Sequence, residues 1–173
     1  MTLDVERLRT YYENPGACTP ETQHWKYVEL HSALGDTEAA STLDVGCGQG
    51  WGRAVFPGGT WTGLDLIPWQ IDRARQAYPD DEWWAGEFLV YEFGTRKWDR
   101  VLACTLFSVP GAWDDASAAW AMRKLVWLAR KEVAIHTNCV EPALAAAMPS
   151  TFWRWQLLRD RHGADWIFVG TPP

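Results

Sequence analysis

The segment Leu43-Asp44-Val45-Gly46-Cys47-Gly48-Gln49-Gly50-Trp51-Gly52 constrains this chain more than any other. A short apolar run enters a cluster of glycines, and a helix must leave it. Glycine lets the backbone turn sharply and lets a ligand approach closely. A helix starting there presents unpaired N–H groups to an anionic part of that ligand. The spacing Gly46-x-Gly48-x-Gly50 puts Trp51 where the dinucleotide pattern G-x-G-x-x-G has its third glycine. A phosphate loop is excluded, because no Gly-Lys-Ser/Thr follows.

The flanking sequence predicts alternating elements. Strands are expected at residues 41–46, 61–65, 82–86, 98–104, 132–136 and 165–169. Helices are expected from Thr19-Pro20 to Leu34, over Ile67–Tyr78 opened by Pro68, and over Asp114–Arg130. A further helical stretch after residue 136, broken near Pro149, would carry Arg154, Arg159, Arg161 and His162 on a solvated face. Leu3, Leu8 and Tyr11 give a loose helical spacing that Asn14-Pro15-Gly16 breaks. Strands alternating with helices imply βαβ units and a mostly parallel sheet covered on both faces, a three-layer α/β/α sandwich. At 173 residues the chain fits one domain, with 1–40 as a helical lid and 41–173 as the sheet core.

Asp65 ends the second strand, nineteen residues beyond Gly46. An acid at that place can accept both ribose hydroxyls of a nucleoside. The alternative is a helix cap, since Pro68 lies just beyond. His136, at the end of the fifth strand, reads either as a base or substrate partner or as a histidine satisfied within the fold. Tyr11, Tyr12, His24 and Trp25 sit in the early helices, as lid groups or as packing. Trp51 and Trp113 border the expected cleft, as hydrophobic cover over a ligand or as a cation–π partner for a cationic amine substrate.

Composition narrows the function. Lys and Arg number 16 against 22 Asp and Glu, a net charge of −6, which disfavours a nucleic-acid partner. The four cysteines form no Cys-x-x-Cys pair, so a reduced, cytosolic protein without a metal site is expected. No apolar run reaches membrane-spanning length, which excludes a membrane helix. Tryptophan is abundant, 13 residues, and most of these rings are expected in the core.

Asp44-Val-Gly-Cys-Gly-Gln-Gly50 resembles the first motif of the class I S-adenosylmethionine-dependent methyltransferases. Thr62-Gly-Leu-Asp-Leu-Ile-Pro68 resembles their second motif, Gly86-Glu87-Phe88 their third, and Trp98–Cys104 their fourth strand. The resemblance spans roughly residues 41–137. It implies a Rossmann-like sheet, S-adenosylmethionine as cofactor and methylation of a small-molecule acceptor on oxygen or nitrogen. Lyase or alkyl-transfer chemistry, or a silent binding protein, are the alternatives. Gly46, Cys47, Gly48 and Gly50 would cradle the cofactor, and Asp44 would orient their loop. Asp65 would hold the ribose, Leu66, Glu87 and Phe88 would meet the adenine, and Cys104 would lie beside the methionine moiety. His136 and Tyr11 are the candidate catalytic residues. Cys104 lacks the neighbouring proline of pyrimidine carbon-5 methylation, and the Asp/Asn-Pro-Pro-Tyr/Phe signature of base amino methylation is missing. Only residues 165–169 read as a strand after the last helix, where the family has a hairpin. A sheet trimmed at its C-terminal end, with six strands or seven at most, is therefore expected.

Overall fold

Parallel strands require crossovers long enough to hold a helix, and this chain supplies them. The computed structural model describes residues 3–13, 19–35, 38–109, 111–138, 154–159 and 165–172. Helices α1 (Val5–Glu13) and α2 (Pro20–Leu34) precede β1 (Ser41–Val45), α3 (Trp51–Val55) and β2 (Thr60–Asp65). Then come α4 (Pro68–Ala77), β3 (Glu82–Ala85), β4 (Trp98–Cys104), α5 (Asp115–Leu128), β5 (Ala129–Thr137), β6 (Arg154–Arg159) and β7 (Trp166–Thr171).

The sheet has seven strands in the order β3-β2-β1-β4-β5-β7-β6. β1 to β5 are parallel, β7 is antiparallel to β5, and β6 is antiparallel to β7. The chain steps outward from β1 to β3 and then returns to β4 on the other side of β1. That reversal is where open α/β sheets leave a crevice at the carboxyl ends of their strands.

Local chemistry sets the boundaries. The Thr19 side chain accepts from the Thr22 N–H, Pro20 opens α2, and Gly35 ends it at φ 68°. Asp114 caps α5 by accepting from the Ser117 N–H at 2.6 Å. Two expectations are corrected. β5 starts at Ala129, so α5 is shorter than the helical spacing suggested. Residues 154–159 form an edge strand, not a helix, and complete a C-terminal hairpin; the sheet is not trimmed. Arg-Trp-Gln-Leu-Leu-Arg lacks the alternation of a half-buried strand because β6 is exposed along most of its length, so pairing to β7, not burial, defines it. Asn14-Pro15-Gly16, the stretch around Pro149, Arg161 and His162 lie outside the described residues.

The core has two halves, one on each sheet face, because side chains alternate along a strand. Val101, Ala103, Val133, Ile135 and Phe168 face α5 together with Ala121, Met122 and Leu125. Leu102, Ala134 and Ile167 face Tyr27 and Leu30 of α2 and Ile71 of α4. Aromatic rings fill the α5 side beyond the helix. Trp84 stacks on Tyr91 at 5.4 Å, and Phe93 meets Trp98 edge-on at 5.7 Å. Trp61, Trp83 and Trp98 are buried, and Trp51, Trp84, Trp113, Trp155 and Trp166 pack partly buried against the core, whereas Trp69, Trp120 and Trp127 are 41–49% exposed. No described helix is long and apolar enough to cross a membrane.

Candidate functional site

A cleft opens at the carboxyl ends of β1, β2 and β4, with about 680 Å³ of unfilled space, its open mouth included. Its floor comes from Val45, Gly46 and Gly48, from Leu64, Asp65 and Leu66, and from Cys104, Thr105 and Leu106. Gly86, Glu87 and Phe88 close one end. Leu3, Leu8 and Tyr12 reach over it from the N-terminal segment, joined by Gln23, Trp51, Gln70 and Trp113.

The glycine turn is built as its sequence requires. Gly46, Gly48 and Gly50 all have positive φ, 77°, 54° and 84°. Side chains other than glycine rarely adopt this region. At Gly48 space matters as well: a Cβ there would lie 2.5 Å from Cζ3 of Trp51 and 2.9 Å from Oε1 of Gln70. At Gly46 the nearest atom would be Cδ1 of Leu106 at 3.6 Å, which leaves the backbone open toward the cleft.

Asp65 locks the turn to the next strand. One carboxylate oxygen accepts from the Gly48 N–H at 2.8 Å and the other from the Ile67 N–H at 2.8 Å. Burial raises its pKa, and the N–H groups of Ile67, Gly48 and Leu66 pull it back toward the ionised form. The N-cap of α4 is Ile67, so Asp65 bridges two loops and is not the cap of that helix. Each oxygen keeps a further lone-pair site, enough to accept ribose hydroxyls.

Seven of the ten expected cofactor contacts lie on the cleft wall: Gly46, Gly48, Asp65, Leu66, Glu87, Phe88 and Cys104. Asp44, Cys47 and Gly50 do not line it. Asp44 is fully buried and turned toward α2, where it accepts from the Tyr27 hydroxyl at 2.9 and 3.1 Å. Burial pushes its pKa up to about 8, against the lowering pull of that hydroxyl. The thiol of Cys47 is buried too and approaches the Gly48 carbonyl at 3.6 Å. Gly50 packs near Trp83 and Tyr78 and precedes α3 as its N-cap.

The two candidate catalytic residues are placed elsewhere. His136 is fully buried and shares the α2 face of the sheet with Ala134, because it is two residues along β5. There its ring meets Trp25 at 5.5 Å, and its Nε2 lies 3.7 Å from the Asp165 carboxylate. It does not line the cleft. Tyr11 is 41% exposed and also off the wall, whereas its neighbour Tyr12 faces inward and donates to the Thr105 carbonyl at 3.0 Å. The 1–40 segment divides accordingly. α1 docks on the loop after β4, with Leu3 bridging Trp113 and the Asp4 N–H donating to Ala112. α2 belongs to the core beneath the sheet and reaches the cleft through Gln23.

Sequence reasoning missed three features. Gln23 and Gln70 are buried polar residues on the wall, and nothing in their helical positions marks them. Thr105, a β-branched residue at φ 63°, turns the chain at the end of β4. Lys124 of α5 donates to the carbonyls of Phe88, Leu89 and Tyr91 at 2.6, 3.0 and 2.9 Å. Among the described residues, no group of His, Cys, Asp and Glu side chains is arranged to hold a metal ion.

No protein-family model matches the sequence, and no curated protein is detectably similar to it. Solved structures are similar in fold. The N-methyltransferase NodS from Bradyrhizobium japonicum, solved with S-adenosyl-L-homocysteine, superposes with a TM-score of 0.73 at 12% identity, covering 99% of both chains. DesVI from Streptomyces venezuelae gives 0.69 at 18% identity, covering 97% of this chain and 98% of its own. CalS10 from Micromonospora echinaspora, an amino pentose methyltransferase solved with S-adenosylmethionine, gives 0.68 at 15%, covering 96% of both. At such identities the likeness is one of fold, and the fold is that of the class I methyltransferases.

Proposed function

We propose that this protein transfers a methyl group from S-adenosylmethionine to a small-molecule acceptor. The observation that carries the proposal is Asp65, bound to both the glycine turn and the start of α4 yet lining the cleft with capacity left on each oxygen. The residues present fit the cofactor. Asp65 would accept the ribose hydroxyls, Leu66, Glu87 and Phe88 would surround the adenine, and Gly46 with Cys104 would leave room for the methionine moiety. The solved structures that share the fold and carry this cofactor or its product support the same reading.

S-adenosylmethionine supplies an activated methyl group, so the protein's part is to hold and shield. Leu3, Leu8, Leu106 and Trp113 make the far wall apolar and would keep water from the transfer. Tyr12 would fasten α1 over the cleft through its bond to Thr105. A net charge of −6 supports a small acceptor over a nucleic acid. The free, buried thiol of Cys47 supports a cytosolic setting.

The test is incubation with labelled S-adenosylmethionine and a metabolite extract, followed by mass spectrometry. A methylated product supports the proposal. Breakdown of the cofactor without a methylated acceptor would replace it with lyase chemistry. No turnover with retained binding would leave a ligand-binding protein.

A further inference from the structure

Three backbone carbonyls converging on one ammonium is an uncommon use of a lysine. Lys124 lies on α5, the helix that packs on β4 and β5, yet its side chain reaches the loop after β3. That loop turns tightly: the Tyr91 N–H donates to the Glu87 carbonyl at 2.9 Å, and the Gly86 N–H donates to the Asp65 backbone carbonyl at 2.8 Å. The carbonyls of Phe88, Leu89 and Tyr91 then point at Nζ, which satisfies all three of its donors. The same ammonium lies 5.1 Å from the ring centres of Phe88 and Phe93. Desolvation lowers the Lys124 pKa, and the nearby Glu87 charge opposes that shift.

We infer that Lys124 is a positioning residue for nucleoside recognition: by caging the carbonyls of residues 88, 89 and 91 it holds Glu87 and Phe88 on the cleft wall, where the Glu87 carboxylate reads the amino edge of a purine. The inference rests on the proposed S-adenosylmethionine site. Lys124 does not line the cleft itself, so it acts through the loop. With three carbonyls committed to the ammonium, the Glu87 carboxylate, which makes no hydrogen bond among the described residues, is the acceptor left for an exocyclic amine. A base carrying a carbonyl in place of that amine would set oxygen against oxygen there.

The experiment measures binding of S-adenosylhomocysteine and of S-inosylhomocysteine, its hypoxanthine counterpart, by calorimetry. Wild-type protein is expected to prefer the adenine form by about tenfold or more. Lys124→Met is expected to weaken the adenine form by about tenfold and to bring the two ligands within about twofold of each other. A merely structural lysine would weaken both ligands in parallel and leave their ratio intact, which overturns the inference. Lys124→Gln, which retains part of the cage, is expected to give an intermediate ratio and carries the test if the Met variant does not fold; an unchanged ratio there also overturns it. Wild type that binds neither ligand would sink the functional reading and this inference together. Wild type that binds but discriminates no better than Lys124→Met would sink this inference alone.

Discussion

The hydroxyl of Tyr12 donates to the backbone carbonyl of Thr105 across 3.0 Å and joins the first helix to the end of the fourth strand. Ninety-three residues separate the two partners, so the bond closes the N-terminal segment over the middle of the chain. Both residues line the cleft.

If α1 is a cover, its amides should respond to ligand. Hydrogen exchange with and without S-adenosylhomocysteine is expected to show residues 5–13 gaining protection comparable to that of the glycine turn. Residues 20–34 should change little, because α2 is already core. Tyr12→Phe is expected to cost about 0.5–1.5 kcal/mol and to shrink the gain in α1. A response confined to residues 44–66 would make α1 a fixed part of the scaffold.

Asp65→Ala would remove the proposed ribose partner and removes the acceptor for two backbone N–H groups. Affinity for S-adenosylhomocysteine is expected to fall by about 1.5–3 kcal/mol for each ribose bond lost. Thermal unfolding should show a parallel loss of stability from the freed Gly48 and Ile67 groups. Affinity reduced by less than about threefold would limit Asp65 to its bonds with those loops.

Gly46 and Gly48 differ in what surrounds them, and alanine should reveal it. Gly48→Ala forces a methyl into the Trp51 ring, whereas Gly46→Ala meets only backbone strain. The first is expected to cost about 1–3 kcal/mol more than the second by urea unfolding. Trp51→Ala should relieve much of that difference in the double variant, and a purely additive result would refute the steric reading.

Asp44 gives the fold a pH dependence of known sign. Its pKa is raised from 3.8 to about 8, so the folded state holds a proton that the unfolded chain has released. Its contribution is fully present below about pH 4 and is lost as pH rises through about 8. Asp44→Asn keeps a neutral partner for Tyr27 and is expected to flatten the stability profile between about pH 4 and 8, the window set by the two pKa values. An unchanged slope would mean that Asp44 does not titrate there.

The parallel core was legible because its signals are local. Thr19-Pro20, Pro68 and the glycines each act within one turn, and the apolar runs of β1 and β4 are buried along nearly their whole length. The site was legible where a residue must follow a strand end, as with Gly46, Asp65 and Glu87. It was not legible where the face of a strand decides. His136 and Asp44 both lie at or near carboxyl ends of strands, but alternation turns each toward α2. Tyr11 and Tyr12 differ by one residue, which on a helix is about 100° of rotation and separates solvent from the cleft. β6 escaped because an exposed edge strand has no burial pattern to read. Lys124 escaped because its partners are carbonyls of a distant loop, and backbone atoms leave no trace in composition.

The placement of the cleft between β1 and β4 has a consequence for how the protein is assembled. These neighbours pair Thr42 with Arg100, and the Ser41 hydroxyl accepts from the Asp99 N–H, a separation of 58 residues along the chain. The hairpin-free excursion through β2 and β3 must therefore close before the two halves of the wall meet, and long-range closures of this kind form slowly. A partly folded chain that has β1 with β2, but not yet β4, has the glycine turn and no opposite wall. Such a chain would offer the proposed ligand Asp65 and the glycine turn but not Cys104, Thr105 and Leu106, so full binding energy would act on the native state and slow unfolding more than it hastens folding.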